Sequence, residues 1–436
     1  MKVLVITRSA WDNSNSTGNT MSVFWNKYPK DSIANIYFRD ALPYNDVCNL
    51  YYSISDFDVI KGLFNPFFKS GKKFNYSKID RIEPVNKNTI TKEEKTYNYF
   101  RNRTSVLALI LQEFFWSLGF WKNKKFRDFL GEFKPDVIFF PCFSNLYTHK
   151  VLWYIKKQTK AKVVLFHADD YISGIFKSDN YLEKKYLKLR TKQVKKSALK
   201  ANLNYCISQK QKLEYERIFN KKMKLLYKGA DCSEQPKMSK KSSSDIIKIV
   251  FIGSMLYGRW KTLGMLAKII KKFNQKRPVF ELNIYSQYIP TEEMAREMII
   301  EGASKFMGKI PASVVPTIMK EADIVLHVES FDEIEKLKTR LSFSTKIVDC
   351  LFSGRAFMAI GWKEAASIDY LVQNDAALVA FDEKSITEQL QKIVNNPIIL
   401  EEYAQRAWEC GKRNHQINEI QKNLYNDLQA LVSKKK

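Results

Sequence analysis

Paired cysteines, clustered histidines, long apolar runs and acidic residues are all scarce in this sequence, and each shortage excludes something. The six cysteines (Cys48, Cys142, Cys206, Cys232, Cys350, Cys410) are scattered, with no close pair. That argues against a disulfide framework or a zinc site and fits a reducing cytoplasm. The four histidines, His149, His167, His327 and His415, are too dispersed to suggest a metal cluster, so no metal site is expected. No apolar run approaches the roughly 20 residues that a transmembrane helix needs. Met1-Lys2 leads straight into Val3–Ile6, which reads as a strand rather than a secretory leader. Acidic residues number 46 against 72 Lys and Arg, a formal charge of +26. An anionic membrane, nucleic acid or a diphosphate substrate could answer that charge. The basic residues run through the whole chain, so nucleic acid is not indicated. A composition rich in Lys, Asn and Ile accounts for much of the excess.

What is present is apolar and long. At 436 residues, 45% apolar and 14% aromatic, the chain is too large for one core and too hydrophobic for disorder, so two domains are expected. Strand Val3–Ile6 is followed by a polar loop from Thr7 that contains Gly18-Asn19-Thr20, with a helix starting near Thr20. A loop after a first parallel strand lies at the carboxyl edge of the sheet, where doubly wound folds bind ligands. Ile33–Phe38 reads as a second strand, and residues 50–105 are less regular. Val106–Trp121 is a strongly apolar helix flanked by Arg101, Arg103, Lys122, Lys124, Lys125 and Arg127. Two readings of it stay open: a buried helix of the first domain, or a helix lying on a membrane with its basic flanks on anionic headgroups.

Pro135–Pro141 reads as a buried parallel strand and Tyr147–Gln158 as a helix. Strand 162–166 ends in His167-Ala-Asp-Asp-Tyr171, placing His167, Asp169 and Asp170 where a general base or hydroxyl acceptor would sit. Capping, or pairing with the lysine-rich helix 180–199, is the plainer alternative. Strands at Asn202–Ile207 and Lys224–Leu226 follow. Cys232–Asp245, with Pro236 and Ser242-Ser-Ser244, reads as a linker. The domains are therefore expected at 1–235 and 246–410, joined by 236–245, with 411–436 a helix packing back on the first domain.

The second half repeats the pattern. Strand Ile246–Ile252 ends in Gly253-Ser254. Helix Arg259 to Phe273 follows, then alternating elements to Asp323–Val328 and a charged loop over 331–342. Leu341 to Arg355 is a polar turn opening a short helix that closes at Gly354, with strand Ala356–Ile360 after it. Unpaired N–H groups at such a helix start suit a phosphate, and an ordinary capped core helix is the alternative. Strand–helix alternation in both halves implies α/β with parallel sheets.

Four patterns in order now carry a resemblance. They are Ile249-Val-Phe-Ile-Gly-Ser254 with Arg259-Trp-Lys261, Glu321-Ala-Asp-Ile-Val-Leu-His-Val-Glu329, Ser344-Thr-Lys-Ile-Val-Asp-Cys-Leu-Phe-Ser-Gly-Arg355, and Ser208…Tyr215…Lys228-Gly-Ala-Asp231. The first three resemble the nucleotide-sugar-binding half of GT-B glycosyltransferases of the family 4 kind, and the fourth resembles that family's exit from its first domain. The resemblance implies two Rossmann-like doubly wound domains facing a central cleft. It also implies a metal-independent transferase using a nucleotide-diphosphate sugar as substrate, with no cofactor. By that resemblance Gly253, Ser254, Arg259, Lys261, Ser344, Thr345 and Lys346 would hold the donor diphosphate and Asp349 the ribose. Gly18, Asn19, Thr20 and His167 would face the acceptor. Asp169 or Asp170 would be the base of an inverting enzyme, and Glu329 the donor-side carboxylate of a retaining one. The family's earlier glutamate falls at Leu341 and its final proline at Ala356, so the stereochemistry stays open. Related bacterial enzymes build surface polysaccharide on a glycan or polyprenyl-diphosphate acceptor at the inner membrane, which would give Val106–Trp121 a purpose in a cytoplasmic, membrane-peripheral protein. A GT-B-fold nucleotide-sugar epimerase and a non-catalytic sugar-nucleotide-binding protein are the competing expectations.

Overall fold

The computed structural model describes residues 1–11, 16–40, 42–43, 45–65, 67–76, 106–173, 180–232 and 246–433. Part of the first loop (12–15), Arg101 and Arg103, the linker residues 233–245 and the tail 434–436 lie outside the described residues. The chain forms two compact units. The first comprises Met1–Tyr205, Phe219–Lys224 and Leu424–Lys436; the second comprises Cys206–Ile218 and Leu225–Asn423.

The first unit is built on an eight-stranded sheet. Its strands are β1 (Val3–Thr7), β2 (Ile33–Tyr37), β3 (Leu50–Ser53), β4 (Lys72–Asn75), β5 (Val137–Pro141), β6 (Lys162–His167), β7 (Leu203–Cys206) and β8 (Lys224–Leu225), in the order β4-β3-β2-β1-β5-β6-β7-β8. The pairs β1–β2, β2–β3, β1–β5 and β5–β6 are parallel, and the edge pair β3–β4 is antiparallel. Every residue of β1 and β5 is buried, as expected of strands covered on both faces. The strand order reverses at β1, which has β2 on one side and β5 on the other. Such a reversal leaves a crevice at the carboxyl ends.

Two expectations for this unit are corrected. Helix α1 spans Ser16–Trp25, so Gly18, Asn19 and Thr20 are helical rather than part of a loop. Gly18 is committed to that helix, its carbonyl accepting from Ser22 Oγ at 2.7 Å. A glycine reads as a loop signal, but in a first turn, where the backbone donors lack helical partners anyway, it is tolerated. The second correction concerns the apolar helix. Helix α2 spans Asp56–Phe64, and α3 spans Val106–Leu118. Of α3 only Glu113 and Trp116 are buried. Leu107 (64% exposed), Leu111 (53%) and Phe114 (54%) point to solvent, so α3 is not a buried helix.

The reason lies on its other side. Glu113 accepts from the amides of Leu146 and Tyr147 at 2.7 and 2.8 Å, and from Tyr186 Oη at 3.2 Å. It thereby caps α5 (Leu146–Thr159). Gln112 and Trp116 both donate to Asp56. The polar face of α3 is its anchor, and satisfying those groups turns the apolar face outward. Helices α4 (Lys124–Phe133) and α6 (Tyr181–Lys200) also belong to this unit, as does the last helix of the chain from Leu424 onward.

The second unit is a six-stranded sheet in which every recorded pair is parallel, in the order β11-β10-β9-β12-β13-β14. Its strands are β9 (Ile247–Ile252), β10 (Phe280–Tyr285), β11 (Ser304–Gly308), β12 (Ile324–Val328), β13 (Ala356–Ile360) and β14 (Leu378–Ala380). Helix α7 (Gln209–Phe219) is followed in this half by α8 (Arg259–Phe273), α9 (Glu292–Met298), α10 (Val315–Glu321), α11 (Glu333–Thr339), α12 (Lys346–Leu351), α13 (Ala366–Gln373), α14 (Glu383–Asn395) and α15 (Ile399–Asn414); α16 (Ile417–Ser433) is divided between the units, its residues from Leu424 belonging to the first. Leu263, Leu266 and Ile270 of α8 pack with Ile249, Ile284 and Met358 of the sheet in one core.

The expected loop 331–342 contains α11. Asp332 caps it by accepting from the Ile334 amide, and Lys336–Glu333 and Lys338–Glu335 pair along it. Such charge spacing supports a helix that apolar periodicity does not reveal. The carboxyl edge of this sheet is anchored to the segment after β7. Ser208 Oγ donates to the Leu341 carbonyl at 2.7 Å, and Arg340 grips Glu214 with two bonds of 2.7 Å.

Candidate functional site

In the second unit the residues after β9, β12 and at the start of α12 converge. Gly258, at φ +71°, caps α8 where an added Cβ would strike Ser330 Oγ, so only glycine fits that turn without strain. The turn delivers Arg259 to the carboxyl end of β12. Its Nε donates to the Val328 carbonyl at 3.1 Å and its Nη2 to Glu329 Oε2 at 3.0 Å. His327 Nε2 lies 3.0 Å from Glu329 Oε1. Burial pushes the Glu329 carboxyl up, but the Arg259 guanidinium and His327 outweigh it and hold the group at about 2.

Lys346, first residue of α12, completes the cluster. A Cβ on Gly253 would stand 3.3 Å from Lys346 Nζ, so the bare glycine makes room for the ammonium. Among the described residues Lys346 has no hydrogen bond or ion pair. Enclosure by protein lowers its pKa, and the neighbouring Arg259 lowers it further. The side chain nevertheless keeps exposed surface, and that solvent contact limits the shift. Asp349, one turn along α12, accepts from the buried Lys228 at 2.8 Å. Arg259 and Lys346 are near enough for the guanidinium to disfavour the ammonium, and Asp349 on the same helix favours it.

Other expected members stand differently. Lys261 turns outward, 3.5 Å from Asp332 and over the Trp260 ring. Ser254 Oγ accepts from the Leu256 amide at 3.3 Å. The Ser344 amide donates to Ser367 Oγ at 3.2 Å, and Thr345, the cap residue of α12, makes no side-chain cap bond. The short α12 thus offers a phosphate mainly the Lys346 side chain.

In the first unit His167 ends β6, buried, with Nε2 3.1 Å from Asn204 Oδ1 and its pKa lowered to about 4 by burial. Asp170 is occupied in a turn, accepting from the amides of Ile172 and Ser173 and from Ser173 Oγ. Asp169 is exposed and accepts from Tyr171 Oη at 3.1 Å. Surrounding protein raises its pKa, and direct solvent contact tempers the rise. Of the two aspartates, Asp169 has the carboxylate that ligand can reach. Gly18 and Thr20 are buried within α1. Beside this edge Asp56 is raised by burial against its bonds to Trp116 and Gln112, with Arg8 and Arg39 near enough to lower it.

No protein-family model and no curated protein sequence matches this chain. Solved structures do match, over essentially its whole length. HepE of Anabaena, in complex with UDP-glucose, aligns with a TM-score of 0.62 at 13% identity, covering 99% of this chain and 100% of that one. Sucrose-phosphate synthase of Thermosynechococcus elongatus gives 0.60 at 10%, covering 98% and 99%. A UDP-forming α,α-trehalose-phosphate synthase of Burkholderia xenovorans, in complex with glucose-6-phosphate, gives 0.61 at 9%, covering 98% and 100%.

The fold is GT-B. Within this GT-B chain the sequence pointed at Gly253, Arg259, Glu329 and Lys346, which the structure brings together. It missed His327 and the Lys228 side chain. Lys228 stood inside a quoted pattern, and its position just before Gly229 was the available signal. His327 carried none, because a histidine in an apolar strand reads as core.

Proposed function

We propose that the protein is a glycosyltransferase that takes a nucleotide-diphosphate sugar. The observation that carries this reading is Lys346 beside Gly253 with Arg259 close enough to act on its charge, at the carboxyl edge of the second sheet of a GT-B fold. As the donor's glycosidic bond breaks, negative charge grows on the departing diphosphate. Pre-placed cations stabilise that charge without reorganising. Arg259, Lys346 and Lys228 supply the positive charge a divalent cation would otherwise provide, and no metal is part of this proposal. Asp349, held by Lys228, keeps one side accessible for ribose hydroxyls. Asp169 is the acceptor-side carboxylate: its raised pKa suits proton uptake from a sugar hydroxyl.

The acceptor we propose is a glycan on a lipid diphosphate, at the cytoplasmic face of a membrane, in the synthesis of a bacterial surface polysaccharide. The outward apolar face of α3 supports it, as do the exposed Phe64 (79%) at the end of α2 and Phe67 (91%) just after it. So do the basic residues Lys122, Lys124, Lys125 and Arg127 directly after α3. Apolar surface rimmed by lysine is what an anionic bilayer binds. No described helix is long and apolar enough to cross the membrane.

The deciding experiment is calorimetric titration with UDP, GDP, ADP and CDP. One of them should bind, and Lys346→Ala should weaken it by about tenfold, as loss of a charge-assisted contact does. Binding of none, or equal affinity in the variant, defeats the reading.

A further inference from the structure

Glu329, at the carboxyl edge of the second unit's sheet, is buried and bonded through both backbone and side chain. Its amide donates to the Ile360 carbonyl at 2.8 Å, and its carbonyl accepts from Thr262 Oγ1 at 2.8 Å. A Cβ on Gly361 would lie 3.0 Å from its Cβ, so that glycine lets β13 close over it. Oε2 takes Arg259 and Oε1 takes His327. A carboxylate only accepts, so His327 Nε2 carries the proton in this bond. With 4% of its side chain exposed and each oxygen already accepting a bond from within the protein, Glu329 is turned away from any ligand.

A buried ion pair of this kind adds little net stability, because desolvation offsets the attraction. It does fix geometry. Arg259 spends Nε and one N–H of Nη2 on Val328 and Glu329, and among the described residues Nη1 has no bond. We infer that Glu329 and His327 are positioning residues: His327 orients the carboxylate, the carboxylate orients Arg259, and the unused Nη1 edge of the guanidinium is thereby aimed for a diphosphate. This inference rests on the proposed donor site. It removes Glu329 from the candidates for nucleophile or base and gives His327 a role nothing else assigned it.

The test uses the full chain and whichever of UDP, GDP, ADP and CDP binds most tightly, with its parent nucleoside as control. Glu329→Gln should weaken the diphosphate by about tenfold or more while leaving the nucleoside unchanged. In a background of Arg259→Ala it should add nothing further, since the two act as one unit. His327→Gln, which keeps an N–H donor, should stay near the parent, and His327→Leu should weaken binding as Glu329→Gln does. If Glu329→Gln does not fold, the two His327 variants decide alone. Equal diphosphate affinity in parent, Glu329→Gln and His327→Leu overturns the inference, as does equal weakening of nucleoside and diphosphate. Intact affinity with lost release of diphosphate from the nucleotide sugar would make Glu329 catalytic and also overturn it. If the parent binds none of the four, the donor-site reading falls and the inference with it.

Discussion

At the scale of the residue, the site depends on absent atoms as much as on present ones. Gly253 leaves room for the Lys346 ammonium, and an added Cβ would also lie 2.8 Å from Phe251 Cζ in the core. Gly253→Ala is therefore expected to cost about 1–3 kcal/mol from overpacking and to displace Lys346. Thermal melts should fall, and nucleoside diphosphate affinity should fall with them; an unchanged affinity would show that Lys346 does not occupy that space in solution. Single residues were the least legible level of the sequence. Arg259 and Glu329 are 70 positions apart, and nothing in either neighbourhood announces the pairing. Asp169 and Asp170 look equivalent in sequence. Only the turn that occupies Asp170 separates them.

At the scale of the element, α3 shows where composition misleads. Its mean character is apolar, and Gln112-Glu113 reads as an interruption. In the structure those two residues are the attachment, through Asp56 and the start of α5, and the apolar stripe faces out. Sequence periodicity identifies two faces but not which one meets the protein. If the outer stripe meets a bilayer, Leu111→Gln with Phe114→Ser should leave the melting temperature within a degree or two, because exposed positions contribute little to stability. The same double variant should lose flotation with vesicles containing phosphatidylglycerol at low salt. Parent protein that stays in the bottom fraction would contradict the membrane surface outright. The strands, by contrast, were nearly all readable, because short apolar runs between polar turns have few other uses.

At the scale of the whole molecule, both units bury titratable groups in the form water would not choose at low pH. His149 and His167 in the first unit and His415 in the second are each held neutral, with pKa values lowered to about 4 by burial. An unfolded histidine takes its proton near pH 6.5, so these groups stabilise the fold above that value. The stabilisation drains as pH falls toward 4, by up to about 3 kcal/mol for each. Glu329 acts in the same direction lower down, from about 4.5 toward 2. Urea midpoints should therefore drop from pH 7 through 6 to 5. A flat profile over that range would mean that the histidines are not neutral in the folded protein.

The division into two α/β halves was legible because the strand–helix alternation restarts after residue 245. The interleaving of the units was not. Residue 427 lies in the first unit, where Asp427 accepts from Tyr205 Oη at 2.7 Å, across 222 positions, and from Lys224 across 203. A ribosome adding about 5–20 residues per second makes these partners at least ten seconds before Asp427. The half of the protein that is synthesised first therefore waits, with a tyrosine hydroxyl lacking its carboxylate, until nearly all of the other half has emerged.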